Sequence, residues 1–132
     1  MTNSIFIGKY IYYALTESSG VNQYVGFKVF PIVAEQGTEY PFIVYRRNNI
    51  QNSENTKDGF NEDSVDFDVI VVSDKYDESI EIANAVRKVL EKKKRVYGDM
   101  LITNTLLQGI SEDFVENAYV QTLNFSCIVE NN

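Results

Sequence analysis

A chain of 132 residues, 44% hydrophobic and 23% charged, is long enough to bury a core and short enough for one domain, so residues 1–132 are expected to form a single unit. A formal net charge of −7 argues against a surface that grips nucleic-acid phosphates, and the absence of histidine removes imidazole as a general base or metal ligand. The single cysteine, Cys127, rules out an intrachain disulfide and a zinc site of Cys/His type, and its apolar strand setting is that of a buried thiol.

Residues 3–18 read as a first helix. Asn3 or Ser4 can cap it, and Ile7, Tyr10, Ile11, Ala14 and Leu15 share one face. Ser18-Ser19-Gly20 stops it, and an irregular segment follows. Residues 27–33 read as a strand in which Pro31 cannot donate to a ladder, which predicts an edge or a strand end. After a turn at 36–39, Phe42-Ile43-Val44-Tyr45-Arg46 forms a second strand. Residues 48–63 are polar and without periodicity, and read as a projecting loop before the third strand. In that strand, 64–72, Val65, Phe67, Val69 and Val71 point one way and Asp66 and Asp68 the other. Ser73 or Asp74 caps a second helix, where Ile82, Val86, Val89 and Leu90 form a narrow apolar stripe. The run Lys92-Lys93-Lys94-Arg95 reads as its last turn, complementing the helix dipole, and Tyr97-Gly98-Asp99 breaks the pattern. Residues 100–109 then give a fourth strand, 110–117 a connection, and 118–130 a final strand that buries Tyr119, Leu123, Phe125, Cys127 and Val129. The order α-β-β-β-α-β-β predicts an α+β fold, a largely antiparallel sheet of about five strands with two helices packed on one face.

The start Met1-Thr2-Asn3-Ser4 lacks a signal peptide's basic region, and no apolar run approaches the roughly 20 residues of a membrane span, so a soluble protein made in a cytoplasm is expected. Carboxylates are the abundant reactive groups. Asp58, Glu62, Asp63, Asp66 and Asp68 crowd together, but without the spacing or the glycine of a calcium loop, and Asp66 and Asp68 read as a solvated strand face. No phosphate-cradling glycine loop or nucleophile elbow occurs. Catalytic, cofactor and metal sites are each read as none. Arg46 and Arg47 face opposite sides of the second strand, within reach of Asp66 or Asp68 across the hairpin. With Asn49, Gln51, Asn55, Lys57 and Asp58 of the loop, Arg46, Arg47, Asp66 and Asp68 are the expected contacts with copies or partners. Two other readings stay open: a small-molecule-binding or regulatory α+β module without catalysis, and an enzyme using carboxylates and a divalent cation.

Val29-Phe30-Pro31, followed by Glu39-Tyr40-Pro41-Phe42-Ile43-Val44-Tyr45, resembles the I-(Y/F)-P and (Y/F)-P-(Y/F)-(V/I)-V-Y stretches of a family of small phage tail-completion proteins, related in fold to the lambda-type minor tail protein U, the tail terminator. The helix Asp77-Glu78-Ser79-Ile80-Glu81-Ile82-Ala83-Asn84-Ala85-Val86-Arg87-Lys88-Val89-Leu90 and the closing strand Leu123-Asn124-Phe125 are similar to that family's as well. The loop after Tyr45 is longer than the family's pattern, and Thr122 and Asn124 replace its more usual charged residues. The resemblance implies a structural protein of the virion, assembled in the bacterial host cytoplasm, with no reaction and no cofactor. Its partners would be itself, as a homo-oligomeric ring, usually a hexamer, together with the tail tube protein and the head connector protein. Neither sequence-specific nucleic acid nor a membrane is implied. The ring would end the tail tube at its head-proximal end as a terminator or head–tail joining protein; six copies at −7 would give roughly −42 per ring, and an acidic lumen would repel passing DNA.

Overall fold

The alternation over 65–72 marks the centre of the molecule. In the computed structural model, which describes residues 3–52, 61–91 and 94–131, Val65, Phe67, Val69 and Val71 are fully buried. They lie on β3 (Asn61–Ser73), whose antiparallel neighbour is β6 (Ala118–Asn131). Val65 faces Cys127, Phe67 faces Phe125 and Val69 faces Leu123, the branched and aromatic cross-strand pairs that pack a pleated surface well. The Phe67 and Phe125 rings stack at 5.4 Å.

Outward from this pair, β2 (Phe42–Asn52) joins β3 and β5 (Met100–Val115) joins β6, both antiparallel. The edges are β1 (Val29–Pro31), parallel to β2, and β4 (Lys94–Tyr97), antiparallel to β5. The order is β1-β2-β3-β6-β5-β4. Helices α1 (Ile7–Glu17), α2 (Ser19–Val25) and α3 (Tyr76–Leu90) share one core with the inner side of this sheet. The sheet curls into a half-barrel, as strand twist favours, and α1 reaches strands from both of its ends. Gly8 lets α1 approach β2, since a Cβ there would lie 3.3 Å from the Tyr45 ring. At the other end, Tyr10 and Tyr13 meet Tyr97 of β4 with ring centroids 6.2 and 5.6 Å apart.

The expected sheet of about five strands with two helices, in the order α-β-β-β-α-β-β, is therefore corrected: the described residues form a mixed sheet of six strands with three α-helices. Ser18 is extended and does end α1, but the chain re-enters a helix at once, because burying Val21 and Val25 one turn apart holds α2. Of the basic run, Lys92 and Lys93 lie outside the described residues, and the other two do not finish a helix. α3 stops at Leu90, and Lys94 and Arg95 belong to β4, returned onto β5 by a tight turn whose Gly98 has φ 59°. Residues 110–115, read as a connection, continue β5 to a turn at Glu116 and Asn117. The polar stretch 48–63 is paired at both ends: Asn49, Gln51 and Asn52 lie opposite Asp66, Ser64 and Asp63. Cross-strand pairing selected a strand where composition suggested a loop.

Candidate functional site

Among the described residues, one face of the sheet carries no helix. Across it, Arg46, Asp68 and Asn124 form a row on β2, β3 and β6. Arg46 Nε donates to Asp68 Oδ2 at 3.4 Å and Asn124 Nδ2 donates to Asp68 Oδ1 at 3.0 Å. Asp68 is only 7% exposed, so the solvated face expected of it is corrected: neighbouring strands cover it and satisfy both its oxygens. Arg46 remains mostly solvated, and such a pair fixes geometry while adding only about 0–1 kcal/mol.

A β-bulge between Arg47 and Asn49 shifts the register by one residue. Asn49 and Gln51 therefore join the face of Arg46, opposite Asp66 and Ser64, although sequence parity would place them with Arg47. Arg47 lies on the other side, as expected, and its Nη1 donates to Ile5 O at 2.8 Å. The structure thus brings together Arg46, Asn49, Gln51, Asp66 and Asp68, and separates Arg47 from them. Asn55, Lys57 and Asp58 lie outside the described residues. Toward the opposite end the same face turns apolar, with Val44, Ile70 and Thr122 in one row and Phe42, Val72 and Val120 in the next.

The carboxylate crowd is divided by the pleat. Glu62, Asp66 and Asp68 share the uncovered face, whereas Asp63 points inward and is 6% exposed. Ser4 Oγ donates to it, as do Asn52 Nδ2 at 2.7 Å and Asn131 Nδ2 at 2.8 Å. Burial pushes its pKa up, but the hydrogen bonds from Ser4, Asn52 and Asn131 outweigh burial and hold it below the ordinary 3.8. Asn131 also accepts from Ser4 N at 2.9 Å, so this group pins the turn before α1 to the end of the sheet. Among the described residues, no three His, Cys, Asp or Glu side chains are placed to hold a metal ion. Cys127 is buried, and burial foremost pushes its thiol up to about 12, which keeps it protonated.

The feature that sequence reasoning missed is the far end of the β5–β6 hairpin. Glu116 and Asn117 have φ 51° and 65°, the left-handed pair that closes a two-residue hairpin. Asn117 before a strand pattern was the available signal; the polar run at 111–113 obscured it. On the inner side, Tyr119 sits between Tyr76 and Phe114, at 5.6 and 4.9 Å. Tyr76 Oη donates to Glu112 Oε2 at 2.9 Å, and that bond to a carboxylate, more than burial, raises the tyrosine pKa. Gln121 Nε2 lies 3.1 Å from Glu112 Oε2 and 3.2 Å from Ser79 Oγ, tying the hairpin to the first turns of α3. Farther down, Glu91 accepts from Leu107 N at 2.9 Å and from Arg87 Nε at 2.7 Å; the backbone bond foremost holds its carboxyl below the ordinary 4.5. Yet Ile110, Phe114 and Val115 remain about half exposed.

Comparison with protein families gives a match between residues 9–130 and the family described as Tail completion protein gp17. The chain belongs to this family. It is a structural phage tail protein, in agreement with the tail-completion resemblance of its strands and second predicted helix. Among solved structures, a chain described as "Virion of native gene transfer agent (GTA) particle" is similar over 92% of both chains, with a TM-score of 0.72 and 17% identity. At that identity the likeness is one of fold. No curated protein matches the chain.

Proposed function

We propose that this tail-completion protein closes with copies of itself, six by the family resemblance, into a ring at the head-proximal end of the tail tube. There it ends tube growth and meets the head connector. Its partners are then itself, the tube protein and the connector protein, and its place is the virion, reached from the bacterial host cytoplasm where tails are built. The single observation that carries this reading is the family match over nearly the whole chain. The resemblance of its fold to a chain from a gene transfer agent virion supports it.

The uncovered face is the surface proposed for contacts between subunits. It carries Arg46, Asn49, Gln51 and Asp66 beside half-buried Ile70 and Val72, a mixed surface suited to setting register between neighbours. Tail assembly without this chain is the test. Tubes of uncontrolled length and heads without tails are expected, with both restored when the chain is supplied. Tails of normal length joined to heads in its absence would refute the proposal. Arg46→Glu should leave the monomer folded and reduce ring formation, measured by native mass spectrometry of isolated tail ends.

A further inference from the structure

The β5 edge is open where the opposite edge is closed. β4 covers β5 only over 100–103. Beyond it, the two-residue turn makes Val115 and Ala118 the closing hydrogen-bonded pair, and antiparallel pairs alternate from there. Asp113 and Ser111 then bond β6, while Phe114, Glu112 and Ile110 direct their backbone N–H and C=O groups away from it. Phe114 N is taken by Asp113 Oδ1 at 2.8 Å. Among the described residues, no hydrogen bond meets the outward backbone groups of Ile110 and Glu112.

Beside this edge, a groove of about 180 Å³ separates β5 from α3, walled by Ile80, Ala83, Leu107, Ile110 and Leu123. Nearer the tip, Tyr76, Phe114 and Tyr119 line a second cleft together with Glu112 and Asp113. Asp77, Glu112, Asp113 and Glu116 are exposed around it, and among the described residues Arg87 is the one cation on its wall. Two occupants from a second copy fit badly. The β1 edge has its outward donors used or missing, and a second β5 edge would bring acid against acid.

We propose that this edge takes an extended segment of a different protein, apolar at alternate positions and carrying Lys or Arg, which adds to the sheet as a further strand. Main-chain bonds to Ile110 and Glu112 supply affinity, the groove takes alternate apolar side chains, and the acidic rim selects the basic ones. The proposal rests on the functional reading above only in naming another particle protein as the source of the segment.

The test uses the full chain and a labelled peptide, Arg-Val-Lys-Val-Thr-Val-Lys, read by fluorescence anisotropy and by amide hydrogen exchange. Saturable binding is expected, with the Ile110 and Glu112 amides exchanging about tenfold more slowly or better. The exposed pair Asp113→Lys with Glu116→Lys should weaken binding about tenfold, and a peptide with Glu in place of its basic residues should not bind. Ile110→Pro removes an outward donor and should abolish binding; its thermal melt checks that the hairpin survives. Absence of binding, binding unchanged in the charge-reversed chain, or protection of the same amides by self-association alone would overturn the proposal. A chain that binds the peptide but forms no ring would overturn the functional reading and leave this one standing.

Discussion

The two edges of one sheet are finished in opposite ways. At β1, Ile43 N donates to Lys28 O and Ile32 N donates to Tyr45 O, so the alternate residues Val29, Pro31 and Val33 face outward. Val29 N is spent on Phe27 O at 2.8 Å, Pro31 has no donor, and Val33 N folds back to Pro31 O at 2.7 Å. Ile32 makes that turn at φ 68°, a conformation that a β-branched residue resists, with its side chain 76% exposed. At β5 the outward groups of Ile110 and Glu112 meet nothing on their own chain among the described residues, and apolar side chains stand exposed beside them. The difference teaches that closing an edge costs local strain, while an edge left open marks where another strand belongs.

The largest perturbation removes what both edges share. Phe67→Ala deletes one ring of the central stacked pair and should cost about 3–5 kcal/mol in denaturant unfolding. Exchange at the β1 and β5 edges should rise together; a rise at one alone would show that they are separately stable. Next comes Asp63→Ala, which leaves Ser4, Asn52 and Asn131 without their common acceptor and loosens the turn leading into α1, the helix that reaches both edges. A loss of about 2–3 kcal/mol at neutral pH is expected.

The same residue sets a pH test. Asp63 and Glu91 both have folded pKa values below their ordinary 3.8 and 4.5, so the stability they contribute is full above those values and drains away as pH falls through the lower folded ones. Asp63→Ala should flatten that acid limb in urea midpoints measured across it. An unchanged limb would exclude Asp63 as its source.

Glu91→Gln acts on the open edge alone. It weakens the acceptor at Leu107 N, should cost about 1 kcal/mol, and should speed exchange of the Leu107 amide more than that of any β1 amide. The smallest effect is at the closed edge. Ile32→Asn keeps the turn with a side chain that tolerates positive φ and should stabilise the chain by about 0.5–1 kcal/mol, seen as a raised melting temperature; destabilisation would show that the exposed isoleucine carries packing not apparent from its position.

Much of the fold is legible where one residue type answers one physical demand. The burial of Val65, Phe67, Val69 and Val71, the core stripe Ile82, Val86 and Leu90, the buried Cys127 and the edge position of Pro31 all follow from period or from a missing donor. The Arg46–Asp68 pairing was within reach for the same reason, as both residues lie on the outward parity of adjacent strands. Misreadings fall where a local signal competed with a distant partner. The Lys-rich run suits a helix end, but β5 made Lys94 and Arg95 a strand; the polar residues 49–52 suit a loop, but β3 paired them.

By itself, then, the sequence determined what must be hidden: the alternating faces of β3 and β6, the stripes of α1 and α3, and the tail-completion pattern they carry. Only the tertiary structure decided how many strands the sheet has, which face Asn49 and Gln51 occupy after the bulge, and which edge is left open. The physical reason is range. Burial period is written in neighbouring residues, whereas register, bulges and edge closure depend on hydrogen bonds between segments far apart in the chain.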